Sequence, residues 1–481
     1  MKSRNIYSLI IAVGIIMTAC GKSFLDAPPQ NVLPKEAYVN NLQACEQLMK
    51  SLYLSLSNAY GSYSEIYPEL AADNIKPVTG ATNFIQIYSW KQITNSSTEN
   101  TVPQSVNLNG LSYAFYNLIL SSNFLLERAP DFRHENSAST DNIMGVAYTM
   151  RAYAYFMLVN FFAQPYEYTS GAQHPGVVFI PGADWTKPEV GRATVNKIYQ
   201  HITEDLQQAL RLLPETSSNL MLLNKKVASA LLSRVYLFQS DYEQSLRHAQ
   251  LSIKNTPLLS ISMGYPDEIF KKTDPNANES FFVLAPKSVS QIGNSTGGIF
   301  SNNYYQYRKH FIATADMASL LQVSNTDIRK NWVSQLSGNW EVLKFPSGVI
   351  SDVNPSQAAY YKPLIRSSEM YLNAAEACFQ LHKEDSALYY INQIVQRADP
   401  MATPLQVTGN DIFEAIQKER RKELAFEGLR LFDLLRWKQD IVRTDPLFPD
   451  AVRLSYPSDK AIAPLPQIDA SRPGVVQNPG Y

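Results

Sequence analysis

The run Ile416–Lys438, IQKERRKELAFEGLRLFDLLRWK, constrains the fold more than any other stretch of the chain. Glu419, Glu423 and Glu427 recur at every fourth residue, so on a helix three carboxylates line one stripe, with Arg420, Arg421 and Lys422 beside them. Leu424, Ala425 and Phe426 add apolar surface, and Gly428 marks a bend or a close approach. Leu429, Phe432 and Leu435 restart a helical period that Trp437 closes. A segment this mixed must be packed on several sides. Two chemical readings compete for it. Paired carboxyls are what glycoside hydrolysis uses, which makes Glu423 a candidate acid. The alternative is an ion-paired network that orients a partly buried helix, because each Glu has a cationic neighbour within a turn. Buried charges are usually paired, and we favour the network.

With 481 residues, 45% of them hydrophobic, the chain can bury one large core or two closely joined ones. A net charge of -1 offers no basic face for a nucleic acid, so polyanion binding is disfavoured. The unusual feature is aromatic: 28 Tyr and 21 Phe give many rings to divide between core and surface, and exposed rings stack on sugars and peptides. Cys20, Cys45 and Cys378 form neither a disulfide framework nor a metal-ligand spacing. Cys45 and Cys378 fall among apolar residues in helical patterns and read as buried thiols, with a bridge between them left open.

Lys2 and Arg4 precede an apolar run from Ile6 to Met17, and small residues Thr18 and Ala19 come just before Cys20. Residues 1–19 therefore read as a secretory signal, too short for a membrane span. The small residues before Cys20 resemble a bacterial lipobox, with Met17 where Leu is more usual, so Cys20 is the expected lipidation site. Residues 20–33, with Pro28 and Pro29 and no period, read as a tether. No later stretch is apolar enough to span a membrane, so the expectation is a single domain over 34–481 that is anchored and does not cross the bilayer.

A helix is expected from about Pro34, with Leu42, Cys45, Leu48 and Met49 on one face. The period then fails between 60 and 110, a stretch holding Asp73, Trp90 and Asn95 that reads as a long surface excursion. Helical period returns over Leu111–Leu126, Ile143–Phe162 and Arg192–Pro214. Val227–Ile253 and Leu364–Val395 each read as two helices joined by a short polar turn, with small residues at the crossing. That pattern suits tetratricopeptide-like hairpins, several of which must stack to bury their faces. Residues 257–363 interrupt the scaffold: they are rich in Gly, Ser, Asn and Pro, with short β-prone runs such as Phe281–Leu284, and read as an insertion decorating one face. The predicted class is mostly α, with stacked tetratricopeptide-like hairpins, irregular loop-rich insertions and short β segments.

The segment ERRKELAFEGLRLFDLLRW resembles the C-terminal hallmark of the SusD/RagB-like proteins, surface nutrient-binding lipoproteins of the Bacteroidetes outer membrane. Leu465–Asp469 and Gln477–Tyr481 resemble that family's closing motif, a Pro-Gln-x-Asp/Glu segment leading to Gln-Asn-Pro-Gly-Tyr. Ser23–Asp26 is similar to the start of mature members, and Arg151–Pro165 to a block ending in a Gly-x-Pro turn, here with Ala163 for the Gly. The resemblance covers about three quarters of the mature chain, and is thinnest over 60–110 and 257–363. It implies a lipid-anchored capture protein at the cell surface. Its partner would be a SusC-like TonB-dependent transporter, its cargo a glycan or, in the same architecture, a peptide, and its action binding without catalysis.

Short enzyme motifs fare poorly beside this. Gly293–Gly297 matches G-x-S-x-G but lacks the strand, helix and later partners of a nucleophile elbow. Asp274, Asn276 and Asn278 imitate a calcium loop, yet Glu279 and Ala285 stand where it needs Gly and Glu. The six His have no metal-ligand spacing, and no phosphate-binding or dinucleotide motif is present, so neither metal nor cofactor is expected. The aromatics of the two irregular segments carry more weight, because a core explanation is weakest there. Tyr88, Trp90, Tyr304, Tyr305, Tyr307 and Trp332, with Trp340 beyond them, could present ring faces to a pyranose. Asp73 and Asn95 would supply hydrogen bonds, in line with the polar residues that the resemblance implies for that segment. A glycoside hydrolase using Glu423 and a plain helical-repeat scaffold remain the rival classes.

Overall fold

Side-chain caps fix where the long helices begin. Asn41, Asn136, Thr194, Asn224 and Asp241 each accept a hydrogen bond from the backbone N–H three residues on, satisfying one of the first-turn donors. The computed structural model describes residues 39–60, 64–78, 84–93, 108–184, 189–271, 279–285, 309–345 and 361–481. The main helices are α1 (Leu42–Ala59), α2 (Ile66–Ala71), α3 (Leu108–Arg128), α4 (Ser137–Phe162), α5 (Val195–Leu212), α6 (Lys225–Phe238) and α7 (Tyr242–Ile253). They continue with α8 (Ser367–Gln380), α9 (Glu384–Ala398), α10 (Asn410–Glu423) and α11 (Arg430–Arg436). Each packs on the next through most of the chain: α3 on α4, α4 on α5, α5 on α6, α6 on α7, α7 on α8, and α8 on both α9 and α10.

The crossings are close because the residues there are small. In the α6–α7 hairpin the Ser233 hydroxyl donates to the Ser245 carbonyl at 3.0 Å and the Ser245 hydroxyl to the Ser233 carbonyl at 2.9 Å. In α8–α9, Ala374, Ala375, Ala377 and Ala387 are fully buried. Helix α4 is buried nearly all round from Gly145 onward, which is why its sequence is apolar on every side and not in a stripe. The fold is mostly α, as the periodicities predict. The second hairpin starts later than expected: Lys362–Arg366 is a buried strand, and α8 begins at Ser367.

Short strands tie the irregular segments to this scaffold. Strand β1 (Ile75–Pro77) pairs antiparallel with β3 (Phe311–Ala313), which meets β5 (Asn339–Val342), itself in a hairpin with β4 (Val333–Leu336). Strand β2 (Ser280–Leu284) pairs with β6 (Lys362–Arg366). The expected surface excursion is thereby corrected in its described parts, since Ile66, Tyr67, Leu70, Ile75 and Tyr88 lie in the core. Helix α2 is six residues long, too short for a helical period to register in sequence. Parts of 257–363 are likewise interior: Met317, Leu321, Arg329, Trp332 and Lys344 are buried. Cys45 and Cys378 are free buried thiols, and burial pushes Cys378 up to about 11. Among the described residues no helix is long and apolar enough to cross a membrane.

Candidate functional site

The carboxylate stripe enters the middle of the molecule. Glu423 is wholly buried and accepts from Arg366 and Arg397 at 2.7 Å each, from the Tyr265 hydroxyl at 3.0 Å and from Arg329 at 3.1 Å. Glu427 takes the Nε–H of Arg366 at 3.0 Å and the Lys344 ammonium at 2.6 Å, and Glu279 bridges Arg366 at 3.0 Å and Arg397 at 2.7 Å. Further charges of the stretch are paired too: Arg420 with Asp433, Arg421 with Asp316, Lys422 with Asp327 and Glu419 with Arg329. The network reading therefore stands, with one correction. The partners of Glu423 are not the cations beside it on α10 but guanidiniums brought from 94, 57 and 26 residues away.

Electrostatics follow from that geometry. Burial alone would raise Glu423, but Arg397, Arg366, Arg329 and Lys344 hold its carboxyl well below the usual carboxylate range. A general acid must hold a proton near neutral pH and reach a substrate, and Glu423 does neither. Lys344 is pushed by burial down to about 8, and Asp327 is held at about 2 by Arg329 and Lys422 against the effect of burial. Gly428, the predicted close approach, has φ +81° and would bring a Cβ within 2.7 Å of the Glu65 Cα, so only glycine fits.

The expected ligand residues divide into those that the fold encloses and those outside the described residues. Asp73 is held by Arg430 in a two-point pair at 2.7 and 2.8 Å, and with Arg421 nearby its carboxyl lies far below the usual range. Tyr88 and Trp90 do stack, but on an arginine: the Arg443 guanidinium carbon sits 3.9 Å from one ring centroid and 4.1 Å from the other. Arg443 also donates to the carbonyls of Leu70, Ala71 and Ala72, capping the C-terminal end of α2. Trp332 packs 4.0 Å from the Lys344 ammonium. These three rings, expected to face a sugar, are buried here, with an internal cation against each of them. Asn95, Tyr304, Tyr305, Tyr307 and Cys20 lie outside the described residues, as do the G-x-S-x-G motif and Asp274, Asn276 and Asn278 of the calcium-like one.

What remains open is one end of the four-stranded sheet. Val333 and Val342 are paired and buried, and two pairs further toward the hairpin tip Trp340 is half-buried opposite Gln335, which is exposed. Ser337 and Gly338 turn the hairpin, both with positive φ. Lys309 reaches Glu341 at 2.9 Å across this end. The chain flanks gather nearby: the Val78 N–H donates to the His310 carbonyl at 2.9 Å, and the Phe84 ring lies 4.7 Å from Phe311. An indole beside an amide suits noncovalent recognition of a hydroxylated ring. Among the described residues no group of three or more His, Cys, Asp or Glu could hold a metal ion.

The architecture defines a class: a stacked helical-hairpin scaffold, locked by buried ion pairs, with a small β edge left at the surface. Comparison with known proteins makes the class specific, for the chain belongs to the SusD/RagB-like family. Residues 23–237 match a family model described as starch-binding associating with outer membrane, and residues 295–481 match that of the SusD family. A SusD-like protein P2 of Formosa agariphila is 22% identical, with 77% of this chain and 78% of the relative covered. A SusD superfamily structure from Bacteroides thetaiotaomicron superposes with a TM-score of 0.80 at 25% identity, covering 91% of this chain and all of the other. A laminarin-binding SusD-like protein superposes with a TM-score of 0.70 at 20% identity over 91% of this chain and 99% of its own.

Proposed function

We propose that this chain captures glycan at the cell surface without turning it over, anchored in the outer membrane through an acylated Cys20, and passes its ligand to a TonB-dependent barrel transporter. The observation that carries the reading is the half-buried Trp340 with Gln335 opposite it, at the open end of the sheet, in a chain whose N-terminal family match is described as starch-binding. The laminarin-binding neighbour supports a glucan as the first ligand to test. The expected tyrosines Tyr307, Tyr305 and Tyr304 stand two, four and five residues before Lys309 in the sequence. Affinity would come from rings stacked on pyranose C–H faces, with amide and charged groups bonding the hydroxyls.

Calorimetric titration of the full chain with laminarin and with soluble starch tests the reading. Saturable binding without release of reducing sugar is expected, and Trp340→Ala and Tyr305→Ala should each weaken it about tenfold, a loss of roughly 1.4 kcal/mol. Binding untouched by both changes would move the site elsewhere, and turnover would move the protein to another class. Loss of fatty-acid labelling in Cys20→Ala tests the anchor, and co-purification of a β-barrel from detergent extracts tests the partner.

A further inference from the structure

A second concavity plays no part in that reading. Helix α1 carries Met49, Lys50, Tyr53, Leu54 and Ser57 along one stripe of its surface, and this stripe forms one wall of a cleft of about 890 Å³. Pro214 and Met221–Leu223 form the facing wall, and Phe282–Leu284 of β2 line its base. The walls are stitched together. The Leu223 N–H donates to the Tyr53 hydroxyl oxygen at 3.2 Å, the Val283 N–H to the Leu220 carbonyl at 3.0 Å, and the Tyr53 and Phe282 rings lie 6.2 Å apart. A cavity of this size is in the range of small-ligand sites, about 300–1,000 Å³, and is preformed.

Its chemistry narrows the occupant. The lining is mainly apolar, and Leu54 and Leu222, which border it, stay 51% and 45% exposed. A sugar needs several convergent free polar groups, whereas Asn142, Ser217 and Asn219 of this lining bond within the chain. A β-strand peptide needs a free sheet edge, and β2 is bonded to β6 on one side and at Val283 to Leu220. Two charged residues reach the rim. Asp141 is taken up by Arg133, whereas Lys50 is exposed and makes no ion pair among the described residues. An apolar trough with one uncompensated cation at its mouth is complementary to a ligand with an aliphatic body and a single negative head.

We propose that this cleft binds an aliphatic monocarboxylate, a fatty acid, with its chain against Tyr53, Leu222 and Phe282 and its carboxylate at Lys50. The proposal does not rest on the glycan reading. Dodecanoate and dodecanol, titrated separately into the full-length protein below their micelle concentrations, test it directly. Both should bind saturably at one site. Lys50→Ala should weaken dodecanoate about three- to fivefold at low salt, the worth of one exposed charge pair, and leave dodecanol unchanged. Leu54→Glu should abolish binding of both. Its side chain is half exposed, so the fold should survive, and Leu222→Glu on the opposite wall provides an independent second variant. Laminarin affinity should stay at the wild-type value in all three variants. The proposal is overturned if neither amphiphile binds, if Lys50→Ala weakens both equally or neither, or if laminarin displaces dodecanoate.

Discussion

Two trios of the same chemistry sit in opposite settings. Inside, Lys344 bonds Glu427 at 2.6 Å with its ammonium 4.0 Å from the Trp332 ring, and the lysine has no exposed side-chain surface. At the sheet end, Lys309 bonds Glu341 at 2.9 Å, next along the strand from Trp340, with side chains 54% and 21% exposed. Inside, water has been removed, so each charge must find several partners and each ring face must be covered. At the surface water serves instead, and the Trp340 ring and Gln335 amide are less enclosed. A buried pair is worth little relative to apolar packing but costs a great deal to break, whereas an exposed pair is worth about 0–1 kcal/mol either way.

The sharpest way to break the comparison is to remove one member of the interior set. Glu423→Gln strips the shared acceptor from three guanidiniums, and Arg366→Met strips the cation from three carboxylates. Each should lower unfolding free energy by about 3–5 kcal/mol in urea titrations, while Lys309→Ala and Glu341→Ala should shift it by less than about 1 kcal/mol. Equal effects at the two places would end the distinction. Gly428→Ala should follow, costing more than the roughly 1–2 kcal/mol of a left-handed alanine, because its Cβ would also meet the Glu65 backbone.

Acidity separates the groups further. Glu423 and Asp327 have folded pKa values below their unfolded ones, Asp327 at about 2, so the stability they contribute is present above the unfolded value and lost as pH falls toward 2. Glu69 runs the other way. Burial raises it to about 7 despite bonds from Asn74 and the Gly428 N–H, both at 2.8 Å. Its contribution is therefore full below about 4.5 and declines as pH rises through 7. Melting temperature should fall on acidification below about pH 4, and Glu69→Gln should flatten the profile between 4.5 and 7. An unchanged slope in that variant would mean that Glu69 titrates normally.

Much of the scaffold was legible because helices of three turns or more print their period on the sequence, as Val227–Ile253 does with its small residues at the crossing. The ion-pair interior was legible only in part. Glu419, Glu423 and Glu427 announce a charged helix, but nothing local says that Arg329, Arg366 and Arg397 come to meet them, since tertiary pairs leave no spacing. The burial of Tyr88 and Trp90 was hidden for the same reason. Tyr88 and Trp90 lie where no period marks a core, and Arg443, which occupies both faces, is 355 residues from Tyr88. Aromatic rings in an irregular segment predict stacking, but not whether the partner is a sugar or an internal cation.

That ambiguity makes Trp340→Ala the most discriminating change, though among the smallest in stability. Half-buried and bordering Val333 and Val342, the ring covers some core, so truncation should cost about 1–2 kcal/mol of unfolding free energy. If its free face also stacks on glycan, laminarin affinity should fall about tenfold at a temperature where the variant remains folded. Trp332→Ala gives the opposite pattern. It should destabilise by about 3–5 kcal/mol, uncovering the Lys344 ammonium, and change affinity only as far as the fold is lost. Measured together, the two variants ask whether a ring's neighbours, and not its residue type, decide if it holds the protein together or holds a ligand. A matched loss of stability with no loss of affinity would put Trp340 with the interior set.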